Sequence, residues 1–185
     1  IVFDGNAQDF HIGLDDSADD LIIGKGSALG TTANVVIDEN GHVTMPLQSA
    51  VLVGVSSDHD DGGSTTTVQL NSEIYDQNSD FNTSNYTFTA PVTGKYLITV
   101  SVDCYAMRGS LWNSARVDTS NRTYYSLNTP SDQVTGNNYY VAQLTAVADM
   151  DANDTAIVKV QTNDDETYTV RGDATNSYCS FLLVA

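Results

Sequence analysis

The sequence predicts an all-β protein, and three observations carry that expectation. Tyr96, Ile98, Val100, Val102 and Cys104 recur at period two, with Lys95, Thr99, Ser101 and Asp103 between them, which is a long strand with one face in a core. Of the 24 acids, all but Glu39, Glu73 and Glu166 are Asp, and Tyr, Thr and Val abound. Asp favours turns and caps, Glu favours helices, and aromatic and β-branched residues favour strands. The chain also ends SYCSFLLVA, with Cys179, Phe181 and Leu183 on one face of a strand and Tyr178, Leu182 and Val184 on the other. A strand apolar on both faces is buried on both, one against the core and one against a neighbouring subunit.

In chain order, residues 1–48 form a β-rich shaft or neck. Phe10, Ile12 and Leu14 alternate with His11 and Gly13, and Leu21 and Ile23 follow before Gly24-Lys25-Gly26. Val35 and Ile37, then Val43 and Met45, flank Asn40-Gly41, a hairpin signal for a type I′ turn. Some 45 residues of this kind bury too little to fold alone, so the region is expected to pair with other copies of the chain.

Pro46 to Ser49 is the expected junction, and residues 49–185 form the second domain. Ala50–Val55 is its first strand and 58–67 (DHDDGGSTTT) a polar loop. A short strand, Tyr86–Thr89, ends at Ala90-Pro91 and Gly94, ahead of the long strand 95–107. Strands at 111–117, 123–127, 139–148, 156–162 and 178–185 complete a sandwich without a notable helix.

Phe81, Tyr86-Thr-Phe-Thr-Ala-Pro, Gly94, Tyr96, the Asp154 turn and Ser180-Phe181 together resemble the globular heads of complement C1q and its tumour-necrosis-factor relatives. The resemblance covers roughly residues 50–185 and departs from the family's Gly-Asp at Asn153-Asp154. It implies a ten-stranded jelly-roll sandwich that assembles as a homotrimer. It also makes the strands of Cys104 and Cys179 neighbours, where a disulfide and two buried thiols fit the sequence equally. The N-terminal stretch, FDGNAQDFHIGLDDSADDLIIGKGS…VVIDENGHV, is similar to the shaft segments that precede the tips of phage tail fibres.

Composition narrows the function. A formal charge of −17 repels phosphate backbones, so no nucleic-acid partner is expected. No run of ~18 apolar residues exists, so no membrane insertion by a helix is expected either. The chain opens on Ile1-Val2 without a leader, which reads as a fragment or a processed product. Its three histidines all precede residue 60, and no Gly-x-Ser-x-Gly occurs, so no catalytic triad is suggested. The expected protein is a non-catalytic trimeric fibre tip, of a virion or other extracellular appendage, that attaches to a host cell-surface glycan or protein. A purely structural trimerising cap is the alternative, and a polysaccharide-degrading spike a more remote one.

Two residue sets are candidate sites. Trp112, Tyr124 and Tyr125 offer flat apolar faces with polar tips, suited to sugar rings, and Arg108, Arg116 and Arg122 lie near them in sequence. Asp149, Asp151 and Asn153 place oxygens at i, i+2 and i+4, a spacing that can wrap calcium, although a plain Asx-rich turn is the commoner use. The cluster at 58–61 (DHDD) reads as a solvated loop or a cation ligand set, and Arg171-Gly172-Asp173 spells the integrin tripeptide in a predicted loop, a three-residue match that chance supplies.

Overall fold

The computed structural model describes residues 1–30, 32–62, 64–106, 112–128, 139–162 and 167–185. Among these residues every regular element is a strand. They fall into two compact units, Ile1–Gln48 and Ser49–Ala185.

The first unit is an antiparallel meander of β1 (Val2–Phe3), β2 (Phe10–Asp15), β3 (Asp20–Lys25), β4 (Ala33–Ile37) and β5 (Val43–Thr44), in that order across the sheet. Its registers pair Phe3 with Phe10, Ile12 with Ile23, Ile23 with Val35, Leu14 with Leu21, Leu21 with Ile37, and Ile37 with Val43. Directly paired residues share a face. All nine of these apolar side chains therefore lie on one side of the sheet, where Phe3, Phe10, Leu14, Leu21, Ile23 and Val43 are exposed. The buried residues of the sheet, His11, Ile22 and Gly24, lie on the opposite face.

The turn at Asn40-Gly41 is not type I′, because only Gly41 has positive φ (83°). Asp38 is the reason. Its carboxylate accepts from the amides of Asn40 (2.9 Å) and His42 (2.8 Å), and the Gly41 amide donates to the Asp38 carbonyl. The result is a three-residue loop, a type I turn with glycine in the left-handed position.

The second unit is a two-sheet sandwich built from β6 (Ala50–Gly54), β7 (His59–Asp61), β8 (Thr65–Thr67), β9 (Ser72–Asp76), β10 (Phe81–Asn82), β11 (Thr87–Thr89), β12 (Gly94–Tyr105), β13 (Asn113–Thr119), β14 (Thr123–Asn128), β15 (Tyr139–Met150), β16 (Thr155–Thr162), β17 (Tyr168–Val170) and β18 (Tyr178–Leu183). In one sheet the order is β7-β17-β12-β18-β6-β9, with β15 along the other edge of β12. In the other it is β10-β11-β16-β13-β14, with β8 against β16. Apart from the hairpins β10–β11 and β13–β14, adjacent strands are distant in sequence, as in a jelly roll.

The expected polar loop 58–67 contains β7 and β8. Their side chains are polar because they are short edge strands, and backbone pairing to β17 and β16 places them. The strand β17 was also not anticipated.

The core lies between the sheets. Tyr96, Ile98, Val100, Val102 and Cys104 are all buried, as their alternation predicts. Phe88 stacks on Phe181 with ring centroids 4.4 Å apart and meets Tyr96 edge-on at 5.5 Å. The Tyr96 hydroxyl donates to the Val92 carbonyl at 2.7 Å, tying the strand to the loop before it.

The strands of the two cysteines are neighbours, but Cys179 lies opposite Val100, four residues from Cys104. At about 3.3 Å per residue this leaves roughly 13 Å between them, too far for a disulfide. Both are free and buried, and burial pushes both thiols up.

The outer face of the β12 sheet stays open. Val147, Leu97, Leu182 and Ala50 form one cross-strand row, and Thr145, Thr99, Ser180, Leu52 and Tyr75 the next. Val147 (56%), Tyr75 (49%), Leu182 (41%) and, beyond the strand end, Val184 (48%) are exposed.

Candidate functional site

Strand alternation divides the predicted ligand residues. Tyr125 and Leu127 project from the outer face of the β13–β14 sheet, while Tyr124 turns toward the core and packs against it. Ser114 pairs with Leu127 on one side and Gln161 on the other. With Trp112 and Tyr125 they line a hollow of about 330 Å³. The Ser114 hydroxyl is buried and has no hydrogen-bond partner among the described residues.

The adjoining row carries charge. Arg116 lies between Tyr125 and Lys159 in register. Arg116 Nε and Lys159 Nζ both reach Asp118, at 2.6 and 2.8 Å, and the Thr123 hydroxyl donates to it at 2.9 Å. Burial alone would raise the Asp118 carboxyl; the bonds from Arg116, Lys159 and Thr123 outweigh it and hold the group down to about 2.

Arg122 and Tyr124 converge elsewhere. Arg122 Nη2 pairs with Asp149 Oδ2 at 2.6 Å, and the Tyr124 hydroxyl donates to Asp149 Oδ1 at 3.2 Å. The expected ligand set therefore separates: Trp112 and Tyr125 share the hollow, Arg116 borders it, and Arg122 and Tyr124 bind the loop read as a calcium site. Arg108 lies outside the described residues.

That loop is closed from within. Asp154 Oδ2 accepts from Asn121 Nδ2 and from the Asp151 amide, each at 2.8 Å. Asn153 has φ of 73°, a conformation that suits glycine best and asparagine next, which accounts for the departure from Gly-Asp. Lys95 sits opposite Asp149 in the ladder. Of the three residues read as calcium ligands, Asp149 is thus already paired with Arg122. Among the described residues no group of three His, Cys, Asp or Glu side chains is placed to hold a metal.

The other clusters serve the fold. His59 Nε2 lies 3.1 Å from Asp61 Oδ2, and this contact raises the imidazole against the opposing effect of burial. Arg171 pairs with Asp103 at 3.0 Å and lies 4.9 Å over the Tyr139 ring, so its guanidinium is engaged. The Gly172 amide donates to Asp58, and a Cβ there would come within 2.0 Å of the Ser57 backbone. Asp173 accepts from the amide and hydroxyl of Thr175.

Sequence reasoning missed Ser114, Leu127, Gln161, Asp118 and Lys159. The alternation of 123–128 (TYYSLN) separates Tyr124 from Tyr125 and joins Tyr125 to Leu127, so that signal was available. The alignment of β13 with β16 was not, because it is a pairing between segments distant in sequence.

The fold is similar to that of Eiger TNF from S. frugiperda (TM-score 0.59, 9% identity, over 75% of this chain and 93% of that one). It is also similar to murine APRIL at pH 5.0 (TM-score 0.52, 14% identity, over 74% of this chain and 99% of that one). At such identities the likeness concerns the fold alone. No curated protein matches the sequence. The C1q domain matches residues 50–183, and the chain belongs to the C1q-domain family.

Proposed function

We propose that the protein is a non-catalytic, homotrimeric attachment module of an extracellular fibre, with residues 49–185 as its head and residues 1–48 as an interlocked shaft. The observation that carries this reading is the pair of open apolar faces, nine side chains on the β1–β5 sheet and the Val147–Leu97–Leu182 and Leu52–Tyr75 rows on the head. Faces of this kind mark contacts between chains. Proteins of the C1q and tumour-necrosis-factor fold are in general secreted, trimeric and non-enzymatic, which supports the same reading. Among the described residues no helix is long and apolar enough to cross a membrane.

A trimer presents three copies of a weak site, and multivalency turns weak contacts into firm attachment. We read the fibre as the tip of a virion appendage that recognises a glycan or protein on a host surface. The test is binding of the purified trimer to candidate host cells. Saturable binding supports attachment. A trimer that binds no cell supports the architectural alternative, and shortening of surface polysaccharide on incubation contradicts the non-catalytic assignment.

A further inference from the structure

We propose that the hollow formed by Trp112, Ser114, Tyr125, Leu127 and Gln161 is a binding site for a neutral pyranose sugar. The inference rests on the attachment reading only for its threefold valency; the hollow itself argues for the ligand.

Its volume of about 330 Å³ matches a small-ligand site of one or two sugar rings. Its walls are a tryptophan, a tyrosine 64% exposed and a leucine 57% exposed. A pyranose presents just such a flat patch of C–H groups to be covered, and aromatic rings stack on it with little loss of side-chain freedom. The floor is polar. The Ser114 hydroxyl has both donor and acceptor capacity unused, and the Gln161 amide supplies two donors and an acceptor. A purely apolar ligand would leave that buried hydroxyl unpaired, whereas a sugar hydroxyl satisfies it.

Among the described residues the lining contains no charged side chain. In the next row Asp118 already engages both Arg116 and Lys159. A carboxylate or sulfate on the ligand would have to compete with Asp118 for those cations, so the site favours a neutral sugar. The hollow lies on the sheet opposite the apolar face proposed for trimer contact, so all three copies stay open for multivalent binding.

The test uses the chain's single tryptophan, Trp112, whose fluorescence reports on this hollow alone. The intact protein is titrated with methyl β-galactoside, methyl α-mannoside, N-acetylglucosamine and, as an anionic probe, glucuronate. The expected result is a saturable change with at least one neutral sugar. Tyr125→Ala, at an exposed position, should weaken that binding about ten-fold by loss of stacking. Ser114→Ala should weaken it without lowering the melting temperature, because it removes an unpaired hydroxyl. No saturable change with any neutral sugar, a response to glucuronate alone, or unchanged affinity in Tyr125→Ala would overturn the proposal. Cell attachment measured on the same samples separates the two readings. Attachment without a sugar response removes the sugar site and leaves the attachment module, as recognition of a surface protein would; a sugar response without attachment does the reverse.

Discussion

Asp118 joins β13 to β16 on the outer sheet, and removing its charge should cost stability in a pH-dependent way. The substitution Asp118→Asn keeps the shape and leaves Arg116 and Lys159 facing each other without their shared carboxylate. The carboxyl is lowered from 3.8 to about 2 in the folded chain. A difference of nearly two pH units corresponds to a ceiling of about 2 kcal/mol. The side chains of the triad are 21–27% exposed, so solvent screens the interaction and about 1 kcal/mol remains. For a domain of this size that is about 3–5 °C in melting temperature. Because the folded value is the lower one, the contribution is present above pH 3.8 and is lost as the pH falls through about 2. Thermal unfolding of both proteins at one concentration, from pH 7 down to pH 2, is the assay. Wild type should melt higher at pH 7, with the gap closing in acid. Equal melting at pH 7, or a gap that persists at pH 2, refutes the reasoning.

Leu182→Asp places a charge in the middle of the open apolar row of the head and should dissociate the trimer, seen as a fall in mass with the strand content by circular dichroism retained. Both thiols should resist a thiol reagent in the folded protein and react as two equivalents per chain once it is unfolded, since Cys104 and Cys179 are buried and unbonded. EDTA should leave the melting temperature unchanged, because Arg122 already pairs with Asp149; a drop of several degrees would show that the loop holds a cation.

Much of the head was legible because its strands obey a simple rule. Period-two alternation marked the buried face of β12, and the resemblance to the C1q heads made β18 its neighbour. What the pattern does not encode is pairing between distant segments. Asp and Thr at 58–67 look like loop residues, and only their ladders with β17 and β16 make them strands. The thiols failed as a disulfide for the same reason: neighbouring strands were foreseen, but register decides whether side chains meet. The site followed suit. Trp112 and Tyr125 were visible as aromatics, whereas Ser114 and Gln161 joined them through the register of β13, and Arg122 was drawn to Asp149 across a sheet edge. In the first unit the sequence shows few apolar residues; the sheet gathers nine of them on one face, where most are exposed.

The central claim is that these open faces close in a threefold assembly, and solution mass by light scattering tests it most directly. A chain of 19.9 kDa should run as a particle of about 60 kDa, with and without EDTA. A particle of one chain's mass, stable and soluble at micromolar concentration, would contradict the account, since the apolar faces of both units would then have no partner.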